Sequence, residues 1–147
     1  MKKVIFSTLA VLAISASAVE VGVNAVQDKA TDRTGYSLVA GDKFGPVGLE
    51  AGFTRFTKGD NDQNKFGITA SYDVFKTSFV SVSARVGAAY LNNQTGSDGY
   101  AMTVGAGVSV PVVKNVTAGL SIDRQYGQSS VNSFNGNIIT AGVKVGF

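Results

Sequence analysis

Glu20, Glu50, Asp73, Arg85 and Lys144 carry charge on the polar parity of segments in which every second residue is apolar. Carboxylates and cations facing one narrow interior would either neutralise one another as a structural plug or line a constriction that passes and selects ions. An isolated charge in such a space is costly without a partner, so the five are expected to form a network. In it, Glu20 and Lys144 would pair across the seam between the first and last segments, while Glu50 and Arg85 would join a wider set with Asp73. An interior only wide enough for side chains favours the plug, and the gate stays as the alternative.

Other chemistry is restricted by what is missing. The chain holds no histidine and no cysteine, which removes a Ser-His-Asp triad, a thiolate nucleophile and a disulfide framework. Glu20 and Glu50 lie on separate segments with basic residues to neutralise them, so they do not read as an acid/base pair. Gly105-Ala106-Gly107 lacks the strand-to-helix setting of a phosphate loop, and Gly59-Asp60-Asn61-Asp62 is too short to be a calcium loop. No catalytic residue, metal site or cofactor is expected. Lysine and arginine total 13 against 10 acidic residues, without a basic patch for nucleic acid.

The elements that must position these charges show one recurring pattern. Apolar and polar residues alternate with period 2 over about 19–27, 35–42, 47–54, 65–73, 79–91, 100–110, 116–123 and 137–147, the signature of strands with two unlike faces. In the sixth, Tyr100, Met102, Val104, Ala106, Val108 and Val110 oppose Ala101, Thr103, Gly105, Gly107 and Ser109. No stretch carries a helical period. Eight strands fill nearly all of residues 19–147, so one domain is expected.

Ahead of it, Met1, Lys2 and Lys3, the apolar run Val4 to Ile14 and the small residues Ala16-Ser17-Ala18 match a secretory signal peptide cleaved after Ala18. The run is shorter than the roughly 20 residues a membrane-spanning helix needs, so a retained anchor is the weaker alternative. No cysteine precedes Val19, so a lipid anchor there is not expected.

The same period would also suit a soluble barrel or sandwich, with the bulky residues turned inward. Here, however, the polar face is small as well as polar, which suits a confined wet lumen inside a barrel whose apolar face meets lipid. Only a closed sheet leaves no unpaired backbone edge in hydrocarbon. The fold class expected is therefore all-β, an antiparallel up-and-down transmembrane barrel of eight strands. Polar connections at 28–34, 58–64, 92–99 and 127–136 alternate with tighter ones near 43–46, 76–78 and 111–115, which puts short turns and both termini on the periplasmic side. Tyr36, Phe53, Phe66, Tyr90, Tyr100 and Tyr126 fall where an outer aromatic girdle would lie, and Phe44, Tyr72, Phe75, Phe79 and Phe147 where an inner one would.

Arg55 and Arg124 break the apolar parity at the outer ends of their strands. Near the interface such a residue costs only about 0–1 kcal/mol. Its guanidinium would chelate lipopolysaccharide phosphate or simply snorkel at the rim.

With these strands and charges, the mature chain resembles the family of small eight-stranded outer-membrane proteins that includes the OmpA transmembrane domain and the OmpX/Ail group. The alternating face Ile139, Ala141, Val143, Val145 and terminal Phe147 resembles the ending that such barrels present to the barrel assembly machinery. The resemblance implies an integral outer-membrane protein, not an enzyme, with a structural or surface-interaction role and with outer-membrane lipid and lipopolysaccharide as neighbours. A narrow porin-like channel and an adhesin acting through the loops are the alternatives. No peptidoglycan-binding domain is expected after the barrel, and the modest loops count against the adhesin.

Overall fold

The computed structural model describes residues 19–58, 61–93, 98–128 and 135–147. The expected cleaved segment 1–18 and parts of three polar connections lie outside them.

Eight strands follow one another: β1 (Glu20–Asp28), β2 (Arg33–Phe44), β3 (Val47–Lys58), β4 (Asn61–Lys76), β5 (Ser81–Asn93), β6 (Gly99–Val113), β7 (Val116–Gly127) and β8 (Gly136–Gly146). Each pairs antiparallel with the next, and β8 pairs with β1 to close the barrel. Closure removes both sheet edges, so each strand finds a ladder partner on both sides. The all-β, eight-stranded up-and-down class read from the sequence is the class observed.

The faces are also those expected. Val23, Leu38, Ile68, Val104 and Ile122 point outward and are exposed, whereas Gly22, Ser37, Thr103, Ser121 and Asp123 on the alternate parity are buried inside. An apolar exterior around a polar interior inverts the arrangement of a water-soluble barrel, and it excludes the inward-packed alternative. The contiguous outward apolar surface has the character of a lipid-facing band.

The strands run further than their alternation suggests. Residues 58–64 were expected to loop, but β3 continues to Lys58 and β4 begins at Asn61, with Arg55 opposite Asn64 and Thr57 opposite Asp62. β2 likewise starts at Arg33 and β7 runs to Gly127. Alternation of polarity reports where lipid ends, while the backbone ladder persists beyond that level among polar residues.

The three tight turns share one end with both termini. Phe44 and Val47 close the first around Gly45, whose φ of 63° suits a residue without Cβ. Thr77 builds the second: its hydroxyl accepts from the amides of Phe79 and Val80, and its own amide donates to Val80 O at 2.8 Å. Asn115, at φ 64°, makes the third. Two bulges lie just inside this end, between Asp73 and Phe75 and between Pro111 and Val113. Pro111 has no amide to offer a ladder, so a bulge is where it is tolerated. The first bulge inverts parity: Val74 and Phe75 both face outward, and Lys76, opposite Ser81, turns into the lumen.

Candidate functional site: the lumen

Pairing register explains how the lumenal charges meet. Arg85 on β5 lies opposite Gly105 on β6, and Gly105 lies opposite Asp123 on β7. With no side chain between them, the Arg85 guanidinium passes over Gly105 and its Nε donates to Asp123 Oδ1 at 3.2 Å. A Cβ at Gly105 would collide with the carbonyl of Ile122 and the carboxylate of Asp123. Ser121 Oγ, two residues from Asp123, donates to the other carboxylate oxygen at 3.4 Å.

A second pair crosses the seam by the same device. Lys144 on β8 faces Gly22 on β1, where a Cβ would come within 2.7 Å of the lysine Cγ. The stem lies over that glycine, and the ammonium reaches Glu50 on β3, in ion-pair contact. Nearer the loop end, Lys65 Nζ donates to Gln125 Oε1 at 2.9 Å, joining β4 to β7.

Above these pairs the lumen is filled. Asp28, Phe56, Gln63, Leu91, Gln125 and Ile138, contributed by β1, β3, β4, β5, β7 and β8, are each no more than 4% exposed. Val26, Phe56 and Ile138 form one apolar cluster, and Leu91 with Ala101 another. Asp28 turns its carboxylate to the Ala30 amide at 2.9 Å and the Thr31 hydroxyl at 2.8 Å. A pore wide enough for solutes would leave the inner side of this ring exposed, and it is buried. Toward the turn end the space opens instead into a cavity of about 430 Å³, bordered by Glu20, Lys43, Glu50, Asp73, Lys76, Arg85 and Lys144. Beside Lys65 and Phe56 lies a second, separate void of about 80 Å³.

The structure thus gathers all five charges read from the sequence in the lumen but joins them differently. Lys144 pairs with Glu50 and not with Glu20, which stands opposite Gly146 at the cavity mouth. Arg85 takes Asp123, a residue not foreseen in the network. Asp73 stays at the turn end, 2.7 Å from Lys43 Nζ and 3.9 Å from Lys76 Nζ. Lys65 and Asp123 already sat on the polar parity, and the signal that would have joined Asp123 to Arg85 is the register, with a glycine between them. Lys43 was read into the turn at 43–46, but β2 continues through it, with Lys43 opposite Gly48. Lys76 was hidden by the bulge.

On the outer surface Arg55 and Arg124 occupy the loop-end belt. Arg55 lies opposite Tyr36 and makes an ion pair with Asp62 of β4. Arg124 stands 5.9 Å from the Tyr126 ring centroid and 3.4 Å from Asn137 Oδ1, with no carboxylate partner among the described residues. The aromatic belt is continuous here. Phe53, Phe66, Tyr90 and Tyr100 are opposite one another on β3 to β6, with ring centroids 4.9 Å apart in the first pair and 5.3 Å in the last. At the other end Phe44, Phe75, Phe79 and Phe147 are exposed. Ile139, Ala141, Val143, Val145 and Phe147 line the outer face of the last strand, and the Phe147 amide donates to Val19 O at 3.0 Å. Among the described residues no three acidic side chains converge as a metal-binding group.

No protein-family model and no curated protein matches the sequence. Solved structures match over nearly their full length. The N-terminal β-barrel domain of Pseudomonas aeruginosa OprF superposes with a TM-score of 0.67 at 23% identity, covering 88% of this chain and 97% of that one. Neisserial surface protein A gives 0.56 at 20% identity over 88% and 95%. A de novo designed transmembrane β-barrel gives 0.58 at 16% identity over 90% and 98%. Shared strand number, closure and coverage, on top of an apolar exterior and a filled lumen, establish that this chain has the fold of the small eight-stranded outer-membrane barrels.

Proposed function

We propose that this protein is an integral outer-membrane barrel, exported by cleavage after Ala18, whose role is structural or surface-interacting and neither conductive nor catalytic. One observation carries the reading: the buried ring of Asp28, Phe56, Gln63, Leu91, Gln125 and Ile138 across the loop-end lumen. A conduction path would have to break the Lys65–Gln125 and Arg85–Asp123 contacts and also displace the apolar side chains above them. The absence of histidine from the chain supports a non-enzymatic role, since it removes the usual general base. Insertion by the barrel assembly machinery fits the outward row ending at Phe147.

The proposed outer-surface partner is lipopolysaccharide, and the geometry favours Arg124 over Arg55. Asp62 already engages the Arg55 guanidinium, while Arg124 is held by Tyr126 and Asn137 with its charge free of any described carboxylate. A phosphate at that rim would accept two of its donors together. Co-purification of lipopolysaccharide tests this: Arg124→Ala is expected to lower the bound amount more than Arg55→Ala does. Equal retention by both variants and the parent would remove the assignment.

A further inference from the structure

The turn-end cavity is a feature that the proposed role leaves unused. Its volume of about 430 Å³ lies within the roughly 300–1,000 Å³ of small-molecule sites. It opens where the tight turns and termini lie and ends blindly at the Glu50–Lys144 and Arg85–Asp123 pairs. A solute that enters from this end must leave by it.

The room is not forced by backbone crowding. Gly119 lines the wall, and a Cβ there would meet only Val108 O at 3.6 Å and Ser109 Cβ at 3.9 Å, which is ordinary contact. A side chain would fit, yet none is present. At Gly105, over which Arg85 reaches Asp123, the situation reverses, because a Cβ there would strike the Ile122 carbonyl and the Asp123 carboxylate.

The wall chemistry defines what would occupy this space. Charges of both signs border it, so it selects neither anions nor cations as a class. Lys43 and Lys76 share the single carboxylate of Asp73, which leaves an ammonium in surplus where β4 turns into β5. Glu20 lies on β1, on the far side of the eight-strand ring, with no ion-pair partner among the described residues. Between these poles, Ser71, Ser109, Thr117 and Thr140 offer hydroxyls that both donate and accept. Among the described residues no aromatic side chain borders the cavity, so they offer no stacking face for a sugar ring or a nucleobase.

We propose that the turn-end cavity is a binding site for a small zwitterionic solute of amino-acid or dipeptide size, its carboxylate toward Lys76 and its ammonium toward Glu20. Charge on both ends of the ligand matches charge on both sides of the mouth, and the hydroxyls satisfy the amide between.

Titration calorimetry of the protein refolded in lipid nanodiscs tests this, with L-alanyl-L-alanine as the probe. The comparators are N-acetyl-alanine methylamide, which keeps the amide groups but no charge, and glucose. Saturable binding of the dipeptide alone is expected, weakened about tenfold or more by Lys76→Gln and by Glu20→Gln, as for truncation of one member of a charged contact. Gly119→Phe is expected to abolish it while the barrel still shows heat-modifiable mobility. Absence of saturable dipeptide binding would overturn the proposal, as would equal binding of the uncharged analogue or glucose, or binding unaffected by both mouth variants. If Gly119→Phe does not fold, the two mouth variants decide alone.

Discussion

Arg85 and Asp123 form the clearest test at the scale of single residues. Their side chains are 19% and 12% exposed, so removing one partner leaves the other desolvated and unpaired. Arg85→Ala is expected to destabilise the refolded barrel by about 3 kcal/mol, and replacing both by well-packed apolar residues by less. Urea unfolding followed by gel mobility reads the difference, and equal losses for single and double variants would deny the coupling. Gly105→Ala is expected to be strongly destabilising and Gly119→Ala nearly neutral, because only the first Cβ meets occupied space. The parity that places Arg85 and Asp123 inside is legible in the sequence. Their partnership is not, since it depends on which residues the ladder sets level across three strands. Phe56, Leu91 and Ile138 were equally hidden: they lie on the polar parity, and nothing in their type says that one end of the lumen is packed with apolar groups.

Among the elements, β4 shows best how local irregularity changes chemistry. The bulge between Asp73 and Phe75 carries Lys76 into the lumen beside Asp73, whereas uninterrupted alternation would have turned it toward lipid. Deleting Val74 is expected to remove the bulge while keeping Phe75 opposite Val82 and Lys76 opposite Ser81 in the lumen, so the contact with Asp73 and the urea midpoint should both persist. A large drop in the midpoint would show that the bulge itself is needed. The strand centres and their lipid faces followed from period 2, but the bulges and the polar continuations of β2, β3, β4 and β7 did not. The ladder is fixed by backbone hydrogen bonds, which polar side chains do not advertise. At the third turn Asn115 occupies the left-handed region, where asparagine is tolerated better than most residues with a Cβ. Asn115→Gly is expected to be tolerated and Asn115→Val to cost about 1–3 kcal/mol, read from the same unfolding curves.

At the scale of the whole molecule the barrel is asymmetric along its axis. Among the described residues the loop end is packed, the middle is bridged by two ion pairs, and the turn end is an open polar cavity. Outside, the apolar band is continuous and bounded by aromatic residues at both rims. Stability and closure therefore come from the sheet and the plug together, and any interaction with other molecules falls to the outer rim, the loops or the blind cavity. The most direct test is single-channel conductance of the refolded protein in planar bilayers, with heat-modifiable mobility confirming a folded barrel. An electrically silent parent is expected, with leak appearing only when Phe56 and Leu91 are both cut to alanine. A steady unitary conductance in the parent, altered by substitution of Arg85, would contradict the sealed lumen.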